Sequence, residues 1–272
     1  MSKAITVAKP DAKLKNRYIT RKTLLYRSGV EGSDFCLNHA EGCSHGCRFP
    51  CYAMLIKKRA GRVKDYNDWI NPKIVSNSLE LLEKEIARYK NKIEHVHLCY
   101  STDPFMYKNP EIKRLSLKII ERLNKENIRC TVLTKGIIPK SLANLNKYSR
   151  NNEFGITLIS LDPKFKERFE PYTAPYDLRI ESLKYFHKKG FKTMICMEPY
   201  PTPNFVIQDL SKILSRISFV DKIVFGKMNY NPAVSVKRFP GLNKFYKDCA
   251  RKVVDFSKIN HIDCYIKSET AF

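Results

Sequence analysis

Acidic side chains are scarce in this chain. Its 272 residues hold 27 Asp and Glu against 50 Lys and Arg, a formal charge of +23. A surplus of that size fits a polyanion such as nucleic acid; plain overuse of lysine, as a coding bias produces, is the alternative. No apolar run approaches the ~18 residues that span a bilayer, so no membrane segment is expected. The first 22 residues are basic but lack the apolar stretch of a secretory signal, and a cytoplasmic protein is expected. Nine cysteines, an odd number without an export signal, argue against a disulfide framework. No low-complexity linker and no break in composition marks a domain boundary. What is plentiful is apolar material: 43% hydrophobic and 11% aromatic residues are enough for a sizeable core. The length suits one α/β barrel of ~250 residues or two small domains.

Basic residues gather in three runs: residues 1–22, Lys57 to Lys64, and Lys237 to Lys258. From residue 76 onward helical and strand patterns alternate. Leu79, Leu82, Ile86 and Tyr89 recur at helical spacing, and Asn109-Pro110-Glu111 reads as cap, first helical position and dipole-favoured acid. Helices are also expected over Pro139–Tyr148 and from Leu178, with Asp177 as cap and Gly190 as stop. Strands are expected to start near 95, 129, 154, 192, 222 and 261, the first a buried one running from His95 to Tyr100, each pair separated by a helix-length segment. Such βα units imply a parallel sheet whose ligands bind at the carboxyl ends of the strands. Ser101-Thr102-Asp103, Thr134-Lys135 and Glu198 fall at those ends. The expected organisation is a basic arm and lead-in strand over 1–30, a core over 31–230, and a basic helix with a final strand over 231–272.

Cys43, Cys47 and Cys51 stand four apart, but Gly46 and Pro50 oppose a helix, so the segment reads as a loop wrapped around something. Thiolates crowd together only when a cation neutralises them. Zinc fits with a fourth ligand from Cys36, His39 or His45. An iron–sulfur cluster fits too, with three thiolates leaving one iron open. Spacing alone does not separate the two.

The run Asn38-His39-Ala40-Glu41-Gly42-Cys43-Ser44-His45-Gly46-Cys47, followed by Cys51-Tyr52-Ala53, resembles the cluster loop of radical S-adenosylmethionine (SAM) enzymes. It is most similar to the spore photoproduct lyase branch. The resemblance continues through Ser101-Thr102-Asp103-Pro104, Leu133-Thr134-Lys135, Arg168-Phe169-Glu170-Pro171, Arg179 and Met197-Glu198-Pro199. A weaker similarity is to the paired "mobile" radical SAM enzymes of bacteria. The resemblance implies a partial (βα)6 barrel with the cluster loop at the carboxyl-end mouth, a 4Fe–4S cluster on Cys43, Cys47 and Cys51, and SAM. It also implies reductive cleavage to a 5′-deoxyadenosyl radical, an electron donor such as flavodoxin or ferredoxin, and a possible paired radical enzyme.

Two departures stand out. The family places three and then two residues between its cysteines; here there are three and three, Pro50 being the extra one, which displaces the usual aromatic to Phe49. The lyases carry a hydrogen-donating Cys in a Cys-Thr-Ser-Asp run; matching Asp103 puts Tyr100 at that position, which points away from thymine-dimer repair. By the resemblance, Lys135 pairs with the SAM carboxylate, Thr157 and Ser160 supply hydroxyls, and Ser101, Thr102 and Asp103 meet the amino end. Phe49, Met197 and Glu198 lie along the rest of the cofactor, and Tyr100 is the candidate hydrogen relay. Glu170 and Arg179 form either a structural ion pair or part of the site. His39 and His45 read as hydrogen-bonding residues, Cys130 and Cys196 as core, and Cys249 or Cys264 as open to substrate. The substrate expected is tRNA or single-stranded or distorted DNA. A peptide or small metabolite is the rival enzyme substrate, and a zinc-stabilised nucleic-acid-binding protein using Cys36 with the three loop cysteines is the non-enzyme rival.

Overall fold

The computed structural model describes residues 17–29, 32–89 and 92–271; most of the first basic run, residues 1–16, lies outside the described residues. In chain order the strands are β1 (Tyr18–Ile19), β2 (Leu25–Arg27), β3 (Phe35–Leu37), β4 (Ala40–Glu41), β5 (Lys73–Val75), β6 (His95–Leu98), β7 (Arg129–Thr134), β8 (Glu153–Thr157), β9 (Lys192–Tyr200), β10 (Lys222–Lys227) and β11 (Asp263–Ile266). The helices are α1 (Tyr52–Arg59), α2 (Tyr66–Ile70), α3 (Ser78–Tyr89), α4 (Pro110–Lys125), α5 (Pro163–Phe169), α6 (Tyr176–Lys188), α7 (Leu210–Arg216), α8 (Leu242–Ile259) and α9 (Ser268–Ala271).

The main sheet has eight strands in the order β11-β10-β9-β8-β7-β6-β3-β2. Every neighbour from β3 to β11 pairs in parallel, and β2 closes the edge antiparallel to β3. A parallel sheet has to be covered, because its crossovers lay helices on a face. Here Val96, Leu98, Val132, Phe154, Ile156, Ile195, Met197, Ile223 and Phe225 are wholly buried in the cluster that joins sheet to helices. The intervening positions include His95, His97, Thr131, Glu153, Thr157 and Glu198. Successive strand residues point to opposite faces, so one face is oily and the other polar. A separate three-stranded sheet, β1-β5-β4, braces the segment around the cysteine loop.

The six expected strands are β6 to β11, and β3 adds one more to the parallel run. Phe35–Leu37 pairs with β6 and makes the parallel run seven strands, too short a segment to stand out by periodicity. The helix expected over Pro139–Tyr148 is only a 3-10 turn at Lys140–Ala143. Asn144 Oδ1 takes the backbone N–H of Asn146 at 3.0 Å, a local bond that competes with helix continuation. Asn109 caps α4 as expected, through the Ile112 N–H at 3.3 Å. Asp177 does not cap α6: Pro175 holds that position and Asp177 pairs with Arg216 at 2.6 Å. Short helices α1, α2, α5, α7 and α9 lie outside the expected set, although Asp162-Pro163 repeats the signal read at Asn109-Pro110 and Asp209 caps α7. Cys130 and Cys196 are buried strand residues; Cys249 is packed in the core and Cys264 alone is exposed.

One buried carboxylate ties the antiparallel edge to the helical layer. Glu85 on α3 accepts the backbone N–H groups of Leu24 and Leu25, at 2.7 Å for the latter. Glu85→Ala strands both donors away from water and should cost about 2–3 kcal/mol of unfolding free energy in a urea titration. A loss below about 1 kcal/mol would show that the edge is held by packing alone.

Candidate active site

The polar groups collect where the parallel strands end. The loop after β3 carries Cys43, Cys47 and Cys51, and α1 begins directly behind the last of them. The loop keeps its shape through backbone bonds: Cys43 N–H to the Trp69 carbonyl at 2.8 Å, and Arg48 N–H to the Phe169 carbonyl at 2.9 Å. Gly42 lies at φ +93°, and a Cβ there would meet the Trp69 carbonyl oxygen at 2.6 Å, so both the turn and the close approach require glycine. The segment is a loop, as Gly46 and Pro50 imply.

Lys135, one residue beyond β7, faces this loop. Its Nζ lies 3.6 Å from Cys47 Sγ, 4.6 Å from the centre of the Phe49 ring and 3.1 Å from Glu170 Oε1. The last contact is an ion pair off the hydrogen-bonding direction, because Glu170 Oε1 has no hydrogen-bond partner. Glu170 is fully buried and gives its other oxygen to Arg179 Nη2 at 3.0 Å. Arg179, equally buried, also donates to the Ala174 carbonyl at 2.9 Å, to the Thr157 carbonyl at 3.0 Å and to Thr173 Oγ1. Glu170 and Arg179 thus form a buried ion pair that reaches Lys135.

A second carboxylate fixes the other side of Lys135. Asp103 Oδ2 accepts the Lys135 backbone N–H at 2.8 Å and lies 3.3 Å from His45 Nδ1. Its Oδ1 accepts the Thr134 hydroxyl at 2.6 Å and the Phe105 N–H at 2.8 Å. His45 Nε2 accepts the Tyr107 N–H at 2.8 Å, so the proton on this ring belongs on Nδ1. Asp103 thus joins the cysteine loop, the loop after β6 and the end of β7. Burial raises its pKa, but His45, Thr134 and the backbone more than reverse that, and it stays below the usual carboxylate range. His39 is bonded too, between Cys99 Sγ at 3.3 Å and Ser116 Oγ at 2.9 Å, with burial pulling its pKa down to about 4.

The remaining residues divide into those facing the mouth and those turned away. Asn38 Oδ1 takes the N–H of Ser101 at 3.0 Å and the Thr102 hydroxyl at 3.4 Å. The Ser101 and Thr157 hydroxyls make no hydrogen bond among the described residues. Ser160 is wholly buried and accepts the Asp162 N–H at 3.0 Å, so its hydroxyl shapes a turn. Phe49 is buried among Ile159, Phe165, Val206 and Met228. Met197 faces the helical layer. Glu198, on the opposite strand face, sits over Gly226, where a Cβ would meet its Cδ at 2.8 Å; burial raises its pKa. Tyr100 is not a buried strand residue: it lies beyond β6, 47% exposed. Its carbonyl accepts the Tyr52 hydroxyl, and the two rings are 5.9 Å apart. Tyr52 went unmarked in the sequence; its position directly after Cys51 is the only signal.

The donor set can be tested for what it would hold. Burial pushes the Cys43 thiol well up, and burial pushes Cys47 to about 12 against the pull of Lys135. Thiols so placed become thiolates only with a cationic filling. A zinc ion needs its ligands within ~2.3 Å of one point, and among the described residues no three His, Cys, Asp or Glu side chains are so grouped. Cys36, on β3, bonds Ser28 Oγ at 3.0 Å. Three separate thiols beside a buried cation fit an iron–sulfur cluster, each thiolate taking its own iron.

Comparisons agree with that chemistry. The family model described as "Radical SAM superfamily" matches residues 37–217. An uncharacterized protein of Acidianus two-tailed virus is 27% identical over 230 residues, covering 79% of this chain and 73% of its own. An uncharacterized protein of Methanocaldococcus jannaschii is 24% identical over 170 residues, 62% of this chain and 61% of its own. Among solved structures, a mutant spore photoproduct lyase with bound AdoMet and dinucleoside spore photoproduct superposes with a TM-score of 0.62 at 14% identity. It covers 97% of this chain and 87% of that one. The likeness establishes the fold: an α/β, largely parallel, partial barrel.

Glu170 yields a pH prediction. Burial raises its pKa, but Arg179 and Lys135 outweigh burial and hold it at about 2. A carboxylate depressed below its unfolded value, ~4.3, stabilises the fold above that pH and loses the contribution as pH falls through the interval. Unfolding free energy should therefore drop between about pH 4.5 and 2, and Glu170→Gln should flatten that part of the profile while lowering stability at pH 7. Superimposable acid profiles would show that Glu170 is not ionised in the fold.

Proposed function

The chain belongs to the radical SAM superfamily, and on that premise we propose that Cys43, Cys47 and Cys51 hold its 4Fe–4S cluster while Lys135 receives the carboxylate of SAM. When bound, the cluster and SAM supply one-electron reductive cleavage of the sulfonium. The observation that carries the assignment is the Lys135 ammonium, which donates to Cys47 Sγ at 3.6 Å and meets Glu170 Oε1 as an ion pair outside hydrogen-bonding geometry. A buried ammonium so placed keeps N–H donors for an incoming anion, and charge-assisted bonds are the strong ones. Thr157 at the end of β8 and Ser101 beyond the end of β6 hold hydroxyls free to serve the cofactor. Asp103 acts through Thr134 and the Lys135 backbone, positioning rather than contacting. Glu198, near the end of β9, would line the adenosine end of the cofactor. Tyr100, paired with Tyr52 at the mouth, is where a hydrogen relay belongs. A small electron-transfer protein such as flavodoxin or ferredoxin supplies the reductant that radical SAM enzymes need.

The substrate reading follows from charge and fold together. A net +23 and a lyase-like barrel, whose relative holds a dinucleoside, support a nucleic acid or nucleotide-like substrate. The loss of a cysteine at position 100 favours a modification other than thymine-dimer reversal. On α8, Lys247, Arg251, Lys252 and Lys258 are exposed and offer a backbone-binding face.

Anaerobically reconstituted protein should hold about four irons, keep them in Cys36→Ala, and release 5′-deoxyadenosine with dithionite. Lys135→Ala should raise the Kd for SAM at least tenfold, the loss of one buried charge-assisted contact. Iron loss in Cys36→Ala, or no 5′-deoxyadenosine at all, would contradict the site. For the substrate, tRNA and single-stranded DNA should bind more tightly than duplex, because a base reacting in a barrel must leave its stack. Anisotropy should give a salt slope of roughly -0.7 per phosphate engaged. Reversing Lys247, Arg251 and Lys258 to Glu should reduce that slope. Absence of binding to either at low salt would turn the reading toward a peptide or metabolite substrate.

A further inference from the structure

Beside the mouth, three cations converge on one carboxylate oxygen. Arg21 Nη2, Arg62 Nη1 and Lys57 Nζ stand 3.4, 3.6 and 3.7 Å from Glu41 Oε2. These contacts are all longer than the roughly 2.7–2.9 Å of a closed charge-assisted bond. One negative charge therefore serves three positive ones, in a cluster where Arg21, Lys57 and Glu41 are only 18, 20 and 10% exposed. Burial together with Arg21 and Arg62 pulls the Lys57 pKa down in spite of Glu41, so the surplus is felt locally.

The chain is shaped to make this arrangement. Gly61 takes φ +67° at the end of α1, its N–H donating to the Lys58 carbonyl at 3.0 Å, while the Arg62 N–H donates to the Lys57 carbonyl at 2.9 Å. That pair of bonds is a Schellman cap, in which the residues now occupied by Lys57 and Arg62 are adjacent and ordinarily make an apolar contact. Here the cap sets two cations side by side. Nothing in the fold gains from that repulsion, whereas an anionic ligand does.

The cluster is also wired to the reaction site. Glu41 precedes Cys43 by two residues, and Arg21 Nη1 donates to the Asn38 carbonyl at 2.8 Å, Asn38 being the residue that holds the turn at Ser101. Along α1, Lys57 lies about 7.5 Å of helical rise from Tyr52, whose ring packs on Tyr100 at the mouth.

We propose that Arg21, Lys57 and Arg62 form a subsite for one backbone phosphate of a nucleic acid substrate, with Glu41 as the internal anion that holds the cations until the phosphate arrives. The assignment rests on the nucleic-acid reading above and adds a place to it. A phosphate bound there anchors the strand next to the nucleotide entering the barrel, and the exposed Tyr100 offers a face for its base.

Two probes separate the subsite from the reading on which it rests. Inorganic phosphate, compared with chloride at equal ionic strength, should raise the Tm of the reconstituted protein. The effect should be lost in Lys57→Gln/Arg62→Gln and enlarged in Glu41→Gln, which removes the competing carboxylate. A short oligothymidylate should bind the double variant about tenfold more weakly, with a salt slope smaller by roughly 0.7, and Glu41→Gln severalfold more tightly. A phosphate effect identical in all three proteins overturns the subsite, whatever the oligonucleotide does. A phosphate effect that follows the variants while no oligonucleotide binds the wild type overturns the claim that a nucleic acid backbone fills it. Oligonucleotide binding with unchanged affinity and slope in both variants places the strand elsewhere and also overturns the proposal.

Discussion

The buried ion triad Lys135–Glu170–Arg179 is the constraint around which the mouth of this barrel is arranged. Two charges at 0% exposure and a third at 14% are costly to remove from water. The fold offsets that cost by giving Arg179 two backbone carbonyls, a hydroxyl and a carboxylate, partners for four of its five donors. Those carbonyls belong to Thr157 and Ala174, and Ala174 in turn donates its N–H to the Lys135 carbonyl at 3.0 Å. The end of β7, the end of β8 and the segment leading into α6 are thereby clamped to one another. Breaking any arm leaves a charge uncompensated in the interior, which is why the cluster specifies one arrangement and not several.

Against this rigid base the cysteine loop is held mostly by its backbone and by His45, which hands a proton toward Asp103. Two carboxylates thus hold opposite ends of the same lysine: Asp103 its main chain, Glu170 its ammonium. The division of labour explains a site rich in acids that face inward within a protein so poor in them. The inward acids neutralise and orient, while the surplus of lysine and arginine remains on the outside, where its field reaches solvent. At Glu41 the two regimes meet, because a carboxylate next to the cysteine loop is shared among cations that reach solvent.

Much of this was legible in the chain. Strand positions followed from short apolar runs between capped helices, and the ends of those strands located Asp103, Lys135 and Glu198 beforehand. Where the reading failed, local hydrogen bonding overrode the helix signal: Asn144 Oδ1 takes the Asn146 N–H within the stretch expected to be helical. β3 escaped notice because three residues carry no period. The site was harder than the fold. Sequence order could not show that Glu170 and Arg179 support Lys135, since the connection is three-dimensional, nor that the Ser160 hydroxyl and the Phe49 ring are enclosed by neighbours from other segments. Tyr100 read as buried in a strand extrapolated two residues too far; the positive φ of 59° at Cys99 ends the strand and swings Tyr100 outward.

The account stands or falls on where Lys135 points once the cofactor is present. An anaerobic crystal structure of the reconstituted protein with SAM measures it directly. The account predicts iron density bound by Cys43, Cys47 and Cys51, with Lys135 Nζ at hydrogen-bonding distance from the methionine carboxylate and Glu170 still paired to Arg179. A single metal ion among the cysteines, or a SAM carboxylate bound elsewhere with Lys135 left to Glu170 alone, would contradict it.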